Sequence, residues 1–333
     1  MKIIVPMAGR GSRLRPHTLT VPKPLVPVAG KPIVQRLVED ITGVMDEPVE
    51  EIAFIIGDFG KAVEQQLLGI AESLGAKGHV FEQTEPLGTA HAILCAKECL
   101  EGNVIVAFAD TLFKADFIID KEQDGIIWVS QIDDPSAFGV VKLDDEGVIT
   151  DFVEKPTEFV SDLAIIGIYY FNDGAYLRSE LQYLIDNGIK EKGEYQITNA
   201  LENMKSKGSK FVPGQVTEWL DCGNKDATVY TNQRVLEFNK SNKLIADSAK
   251  LINSSVIEPC FIGENVEIRN TIIGPHVSVG DNSSIISSVI SNSIIQNYSR
   301  IENGLIENSM IGNHVEYLGK KDDLSIGDYT TQK

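Results

Sequence analysis

No apolar run in this chain approaches eighteen residues, so no segment is long enough to cross a bilayer as a helix. Residues 1–8 form a short apolar stretch ahead of Arg10 and lack the layout of a secretory signal, which points to the cytoplasm. Cysteine is scarce, with four among 333 residues. Cys95 and Cys99 stand four apart on an expected helix without histidine partners, and Cys222 and Cys260 are isolated. That spacing excludes a zinc-ligand set and implies reduced, packed thiols. Positive charge is also short. Thirty Lys and Arg face 48 Asp and Glu, a formal net charge of −18. Binding to a nucleic-acid backbone requires clustered cations, so nucleic acid is excluded as a partner, and the acid excess serves solubility. Small anionic ligands stay open, because Arg10, Arg13, Arg15, Lys23 and Lys155 can act locally within the ~8 Å range left by physiological salt.

What is present is most concentrated just after the first apolar strand. The loop Ala8-Gly9-Arg10-Gly11-Ser12-Arg13 opens a stretch that ends on Lys23, held between Pro22 and Pro24. Glycines 9 and 11 let backbone N–H groups approach phosphate oxygens. Arg13 and Lys23 add the charge that backbone dipoles cannot supply against a triphosphate, and the two prolines stiffen the presentation of the ammonium. The third glycine of a dinucleotide fingerprint is absent, and Lys23 lies too far along for a P-loop.

At 333 residues two domains are expected. Short apolar runs predict strands at 3–6, 52–56, 104–108, 126–131, 140–143, 149–153, 164–171 and 211–212. Helical periodicity fits 33–45, 61–74, 89–100, 175–187, 198–207 and 226–238. Strand and helix in alternation imply an α/β domain built on a mainly parallel sheet covered on both faces, with ligands beyond the carboxyl ends of the strands. The Gly9 loop and Asp110 both fall there.

After a polar linker at about 239–250 the pattern changes. Apolar residues recur at six-residue steps, through Ile262, Ile268, Ile273, Val279, Ile285, Ile295, Ile301 and Ile311, with occasional steps of five. This is the hexapeptide period of a parallel β-helix, three or four coils of about eighteen residues each. The expected division is a first domain over 1–240, a β-helix over 250–318 and a tail over 319–333. Open solenoid ends favour packing against a second copy, so a homo-oligomer is expected, with the β-helix as a regulatory or oligomerising module.

The loop GRGSRLRP followed by PKPL resembles the signature of the sugar-1-phosphate nucleotidyltransferases, the NDP-sugar pyrophosphorylases. The likeness continues in order through Gln83 with Pro86-Leu87-Gly88-Thr89-Ala90, then Asp110, Phe138-Gly139-Val140, Glu154-Lys155-Pro156, Ile166-Gly167-Ile168 and Trp219-Leu220-Asp221-Cys222-Gly223. It covers roughly residues 1–235. With the second domain included, it is similar to the long-form glucose-1-phosphate thymidylyltransferases. That resemblance implies a Rossmann-like nucleotidyltransferase domain followed by a short left-handed parallel β-helix. It also implies that an NTP and a sugar-1-phosphate react with Mg²⁺ as cofactor, released pyrophosphate being the second product.

The same resemblance implies the site. Arg13, Lys23, Asp110 and Asp221 would be catalytic, with Asp110 and Asp221 holding the metal. Ala8, Gly9, Gly11, Ser12, Arg13, Gln83, Pro86, Gly88, Thr89 and Asp110 would bind nucleotide. Gly139, Glu154, Lys155 and Gly167 would bind the sugar phosphate. An amide at Gln83 suits a pyrimidine edge. Relatives that bind N-acetyl sugars often carry asparagine near Ile165 or Ile166; its absence favours glucose-1-phosphate. The leading pair is dTTP with glucose-1-phosphate, with UTP and glucose-1-phosphate or GTP and mannose-1-phosphate as alternatives. Two departures from the family pattern stand out, Asn199 where aspartate is common and Asn224 where threonine is common. A second class of activity, acyl transfer by the hexapeptide coils, would need a histidine base, for which His276 and His314 are present.

Overall fold

A computed structural model describes every residue except Arg10, 116–118, Lys321 and 332–333. The chain divides into two compact units, one of residues 1–26 and 31–224, the other of residues 27–30 and 225–333.

The first unit is an α/β domain. Its elements begin with β1 (Lys2–Pro6), α1 (Ile33–Gly43), β2 (Glu51–Ile56), α2 (Lys61–Ser73), β3 (Lys77–Glu82), α3 (Thr89–Cys95) and β4 (Val104–Ala107). β5 (Thr111–Lys114), β6 (Gly125–Gln131), β7 (Gly139–Leu143), β8 (Ile149–Glu154) and β9 (Leu163–Phe171) follow, then α4 (Gly174–Asp186), α5 (Ile197–Ser206), β10 (Phe211–Gln215) and β11 (Glu218–Asp221). Strands β4, β1, β2 and β3 lie parallel in that order. The apolar runs of β4, β1 and β2 are buried because crossover helices cover such strands on both faces. The long strand β9 joins β4 antiparallel and carries β6 to β8 with it. The sheet is therefore mixed, with its parallel half leading into the glycine loop that follows β1. Tyr169, Phe171, Phe152 and Phe211 stack through the core of the antiparallel half.

Among the strands named above, three escape the sequence reading. β3 (KGHVFE) is an edge strand with no fully buried residue, so it lacks an apolar run. β5 and β11 pair with each other away from the main sheet. The helix expected over 89–100 stops at Cys95. A single 3-10 turn, Lys97–Cys99, then tucks Cys99 and Leu100 into the core before β4. Among the described residues no helix is long and apolar enough to cross a membrane.

The second unit is a parallel β-helix preceded by α6 (Lys225–Phe238). Its short strands stack in three sheets of five, four and four. Ile262, Ile268, Ile273, Val279, Ile285, Ile295 and Ile301 all point inward and are buried, as the period requires. Successive rungs Lys250, Glu267, Ser284, Arg300 and Glu316 pair in register, so the coils are sixteen or seventeen residues long and not eighteen. The five-residue steps account for the shortening. Corners are turned by residues with left-handed backbone. Asn265, Asn282, Tyr298 and His314 form one such column, and His276, Asn292 and Asn308 another. Asparagine tolerates that conformation best among residues with a side chain. The corner amides link coil to coil, Asn253 to Asn270 at 2.8 Å and Asn292 to Asn308 at 2.7 Å. Within this unit α6 is held by Asn232, which is fully buried. Its Oδ1 accepts from Ala29 N–H at 2.8 Å and Ser278 Oγ–H at 2.7 Å, and its Nδ2 donates to the His276 carbonyl at 3.3 Å.

Candidate active site

The loop after β1 is shaped around Lys23. Gly11 has φ 60°, and a Cβ there would lie 2.7 Å from the Lys23 Cβ, so only glycine lets the loop lie against that side chain. Thr18 Oγ–H donates to the Gly11 carbonyl at 2.8 Å and fixes the turn. Lys23, between its two prolines, is 8% exposed, and its ammonium sits 2.9 Å from Asp110 Oδ2. A buried cation requires such a partner.

The antiparallel β5–β11 pair places the two acids together. Thr111 faces Asp221 in the ladder, and the Cys222 N–H donates to the Asp110 carbonyl at 2.9 Å. Asp221 Oδ1 accepts the Gly223 N–H at 2.9 Å, and a Cβ on Gly223 would meet Asp221 Oδ2 at 2.8 Å. Burial raises the Asp221 pKa above the usual aspartate value, and the Asp110 charge raises it further. Lys23, the Gly223 hydrogen bond and Arg13 pull the other way. Trp219 of β11 donates through Nε1 to Thr111 Oγ1 at 3.3 Å and packs its ring edgewise on Phe138, the neighbour of Gly139.

On another wall, Gln83 Nε2 lies 3.2 Å from the Gly88 carbonyl and 3.1 Å from His91 Nδ1. Gly88 has φ 116°, and a Cβ there would meet the Tyr195 carbonyl oxygen at 2.5 Å. Ala8, Gly9, Gly11, Ser12, Arg13, Lys23, Gln83, Pro86, Gly88, Thr89 and Asp110 all line one cavity of about 350 Å³. Glu194 and Phe108 line it too, as does Gly223, and none of the three was singled out from the sequence as a lining residue. Gly223 was within reach of sequence reasoning, because it follows Asp221 by two.

Gly139, Glu154, Lys155 and Gly167 are not on that wall. They form a second group: a Cβ on Gly139 would lie 3.2 Å from Glu154 Oε2, and Thr198 Oγ–H donates to that oxygen at 3.4 Å. Lys155, with φ 45°, is half exposed, and its ammonium lies 3.6 Å from Glu154 Oε1. Gly167, with φ 85°, leaves space that a Cβ would fill against Phe108 at 3.3 Å. Phe108, which lines the cavity, is thus also the neighbour of Gly167. Arg10 lies outside the described residues.

Asp110 and Asp221 offer hard oxygen donors to a divalent cation, and the mutual repulsion raising the Asp221 pKa is what a bound cation relieves. Elsewhere among the described residues, Glu51, His79 and Cys99 bring possible ligand atoms together at the opposite ends of the parallel strands. There Glu51 already sits 2.8 Å from His79 Nε2 and 3.4 Å from the Lys2 ammonium. None of the four cysteines forms a disulfide among the described residues, and Cys222 is fully buried.

The nucleotidyl transferase family model matches residues 2–237. The chain belongs to the nucleotidyl transferase family. This nucleotidyl transferase is 32% identical to a glucose-1-phosphate thymidylyltransferase of Streptomyces antibioticus, over 95% of its length and 93% of the relative's. It is 31% identical to the low-salt glycan biosynthesis nucleotidyltransferase Agl11 of Haloferax volcanii, over 97% and 95% of the two chains. A crystal structure of UDP-glucose pyrophosphorylase with UDP-glucose superposes with a TM-score of 0.58 at 24% identity, covering 71% of this chain and 98% of that one. That likeness establishes a shared fold.

Proposed function

We propose that this nucleotidyl transferase joins an NTP to a sugar-1-phosphate, releasing pyrophosphate and forming an NDP-sugar, with dTTP and glucose-1-phosphate as its pair. The observation that carries the reading is the gathering of Arg13, Lys23, Asp110 and Gln83 around one cavity, with Asp221 beside Asp110.

Both reactants are polyanions, so the protein's work is alignment and charge management, and no protein nucleophile is needed. Asp110 and Asp221 would hold the divalent metal general to this family, Mg²⁺ in our reading, which when bound offsets the repulsion between nucleotide and sugar phosphates. Lys23, fixed by its prolines and by Asp110, stabilises charge building on the α-phosphate. Arg13 faces the departing pyrophosphate, with backbone N–H groups of the Gly9–Gly11 loop beside it. Lys155 orients the attacking sugar phosphate, and Glu154 accepts hydrogen bonds from sugar hydroxyls. Gly139 and Gly167 give the ring room. Gln83, its Nε2 turned toward Gly88, leaves its carbonyl oxygen to accept from a pyrimidine N–H.

The sugar assignment is supported by Ile165, whose Cδ1 lies 3.3 Å from the position of a Gly139 Cβ and offers no hydrogen bond to an acetamido group. The acyl-transfer alternative finds no support at its histidines. His276 Nε2 is held 2.7 Å from Glu237 Oε1, and His314 stacks on Tyr298. The test is pyrophosphate release with Mg²⁺ across five NTPs and glucose-, mannose- and N-acetylglucosamine-1-phosphates, with acetyl-CoA consumption followed in parallel. Fastest release with dTTP and glucose-1-phosphate is expected. A faster UTP or GTP–mannose pair would revise the substrates, and silence across the grid would overturn the reading.

A further inference from the structure

Gln196 does not line the cavity, yet it is 6% exposed and its amide is hydrogen-bonded at both ends. Its segment reaches both groups of site residues. The Tyr195 N–H donates to the Leu87 carbonyl at 2.8 Å, and the Ala90 N–H donates to the Tyr195 carbonyl at 2.9 Å, a main-chain clasp closed around Gly88. Thr89 Oγ–H donates to Gln196 Oε1 at 3.0 Å while Thr89 Oγ1 accepts the Ile197 N–H at 2.9 Å. Gln196 Nε2–H in turn donates to Glu194 Oε2 at 3.0 Å, and Glu194 lines the cavity. Two residues further on, Thr198 is the donor to Glu154 Oε2.

We propose that residues 194–198 form a brace between the nucleotide loop and the sugar-side carboxylate, with Gln196 the positioning residue that sets both Thr89 and the Glu194 carboxylate. The inference rests on the nucleotide assignment of the cavity made above. The geometry makes a directional demand. Gln196 both accepts from the nucleotide loop and donates to Glu194, so an apolar residue of similar size loses both contacts. Because a buried partner left unsatisfied costs more than the bond itself gains, the loop is expected to relax away from its binding geometry.

The experiment is nucleotide binding by calorimetry on the full chain with dTTP and Mg²⁺ in the absence of sugar phosphate, followed by steady-state kinetics. Gln196→Leu is expected to weaken nucleotide binding and raise the nucleotide KM about tenfold, with the sugar-phosphate KM changed less than about twofold, the scale of one lost buried hydrogen bond. Thr89→Val should also weaken nucleotide binding, and the double variant should fall short of the sum of the two singles, since the Thr89–Gln196 hydrogen bond is lost in both. Gln196→Glu supplies a readout that plain destabilisation would not move. It keeps the acceptor for Thr89 but sets a carboxylate against Glu194, so its deficit should shrink as pH falls and one shared proton restores the donor. Thr198→Val should show the opposite split, raising the sugar-phosphate KM alone. Wild-type protein that binds no NTP would overturn the nucleotide assignment itself. Wild-type binding with folded Gln196→Leu and Thr89→Val within twofold of it would overturn the brace alone. If Gln196→Leu does not fold, the pH response of Gln196→Glu decides the question: a nucleotide-binding deficit that does not shrink as pH falls overturns the brace.

Discussion

Asp221 is harder to ionise in the folded protein than in the unfolded chain, first because it is buried and then because Asp110 stands beside it. Its folded pKa lies above the unfolded one, so ionising it subtracts stability. That contribution is complete below the unfolded aspartate range and is lost as pH rises through the raised value. Asp221→Asn keeps the acceptor for the Gly223 N–H and removes the charge. It is expected to raise Tm in metal-free buffer near neutral pH while removing turnover; calorimetry alongside pyrophosphate release checks both. Asp110→Asn should cut turnover by at least about 10²-fold without unfolding the protein, since preorganised charge at a reacting phosphate is worth that much. Unchanged turnover at saturating Mg²⁺ would remove the pair from the mechanism. Backbone sets an equally sharp condition at Gly88, where alanine would strain a φ of 116° and strike the Tyr195 main chain. Gly88→Ala should therefore weaken nucleotide binding far more than it lowers Tm, measured by titration calorimetry and thermal unfolding.

At the scale of elements, what the sequence made legible was what is local or periodic. The glycine loop was readable because its chemistry lies within one stretch ending on Lys23. The β-helix was readable because each inward isoleucine repeats on schedule, and the short coils follow from the five-residue steps already visible there. β3 was missed because an edge strand that is only half-buried between exposed ends needs no apolar run. The β5–β11 pair was missed because its partners lie far apart in the chain. Asp110 and Asp221 were nonetheless paired by motif, though nothing in their spacing showed the ladder that joins them. Glu194 lies five residues before Asn199, and only folding brings it to the cavity. The energetics of the coils invite a direct check: Ile285→Ala, at a fully buried rung, should cost about 2–5 kcal/mol in urea unfolding. Asn232→Leu should cost about 1–3 kcal/mol by the same measurement, because Ser278 Oγ–H and the Ala29 N–H lose their shared acceptor.

For the molecule as a whole, the balance of −18 sets the terms on which anionic substrates arrive. Arg13 and Lys23 attract them only at short range, while the surrounding field repels. The kcat/KM for the nucleotide is therefore expected to rise as KCl is increased from about 10 mM to about 150 mM, as screening weakens the long-range repulsion first. A steady fall over that range would show the local cations controlling approach. The corner columns of the β-helix carry a different consequence, one of chemical ageing. Asn253, Asn282, Asn292 and Asn308 are each followed by serine, a step at which a mobile chain readily cyclises to succinimide and deamidates. Held in left-handed corners, with their amides engaged from coil to coil, these four are denied the backbone rearrangement that ring closure needs. Isoaspartate accumulating at these corners would therefore record how often the coils come open over the lifetime of the protein.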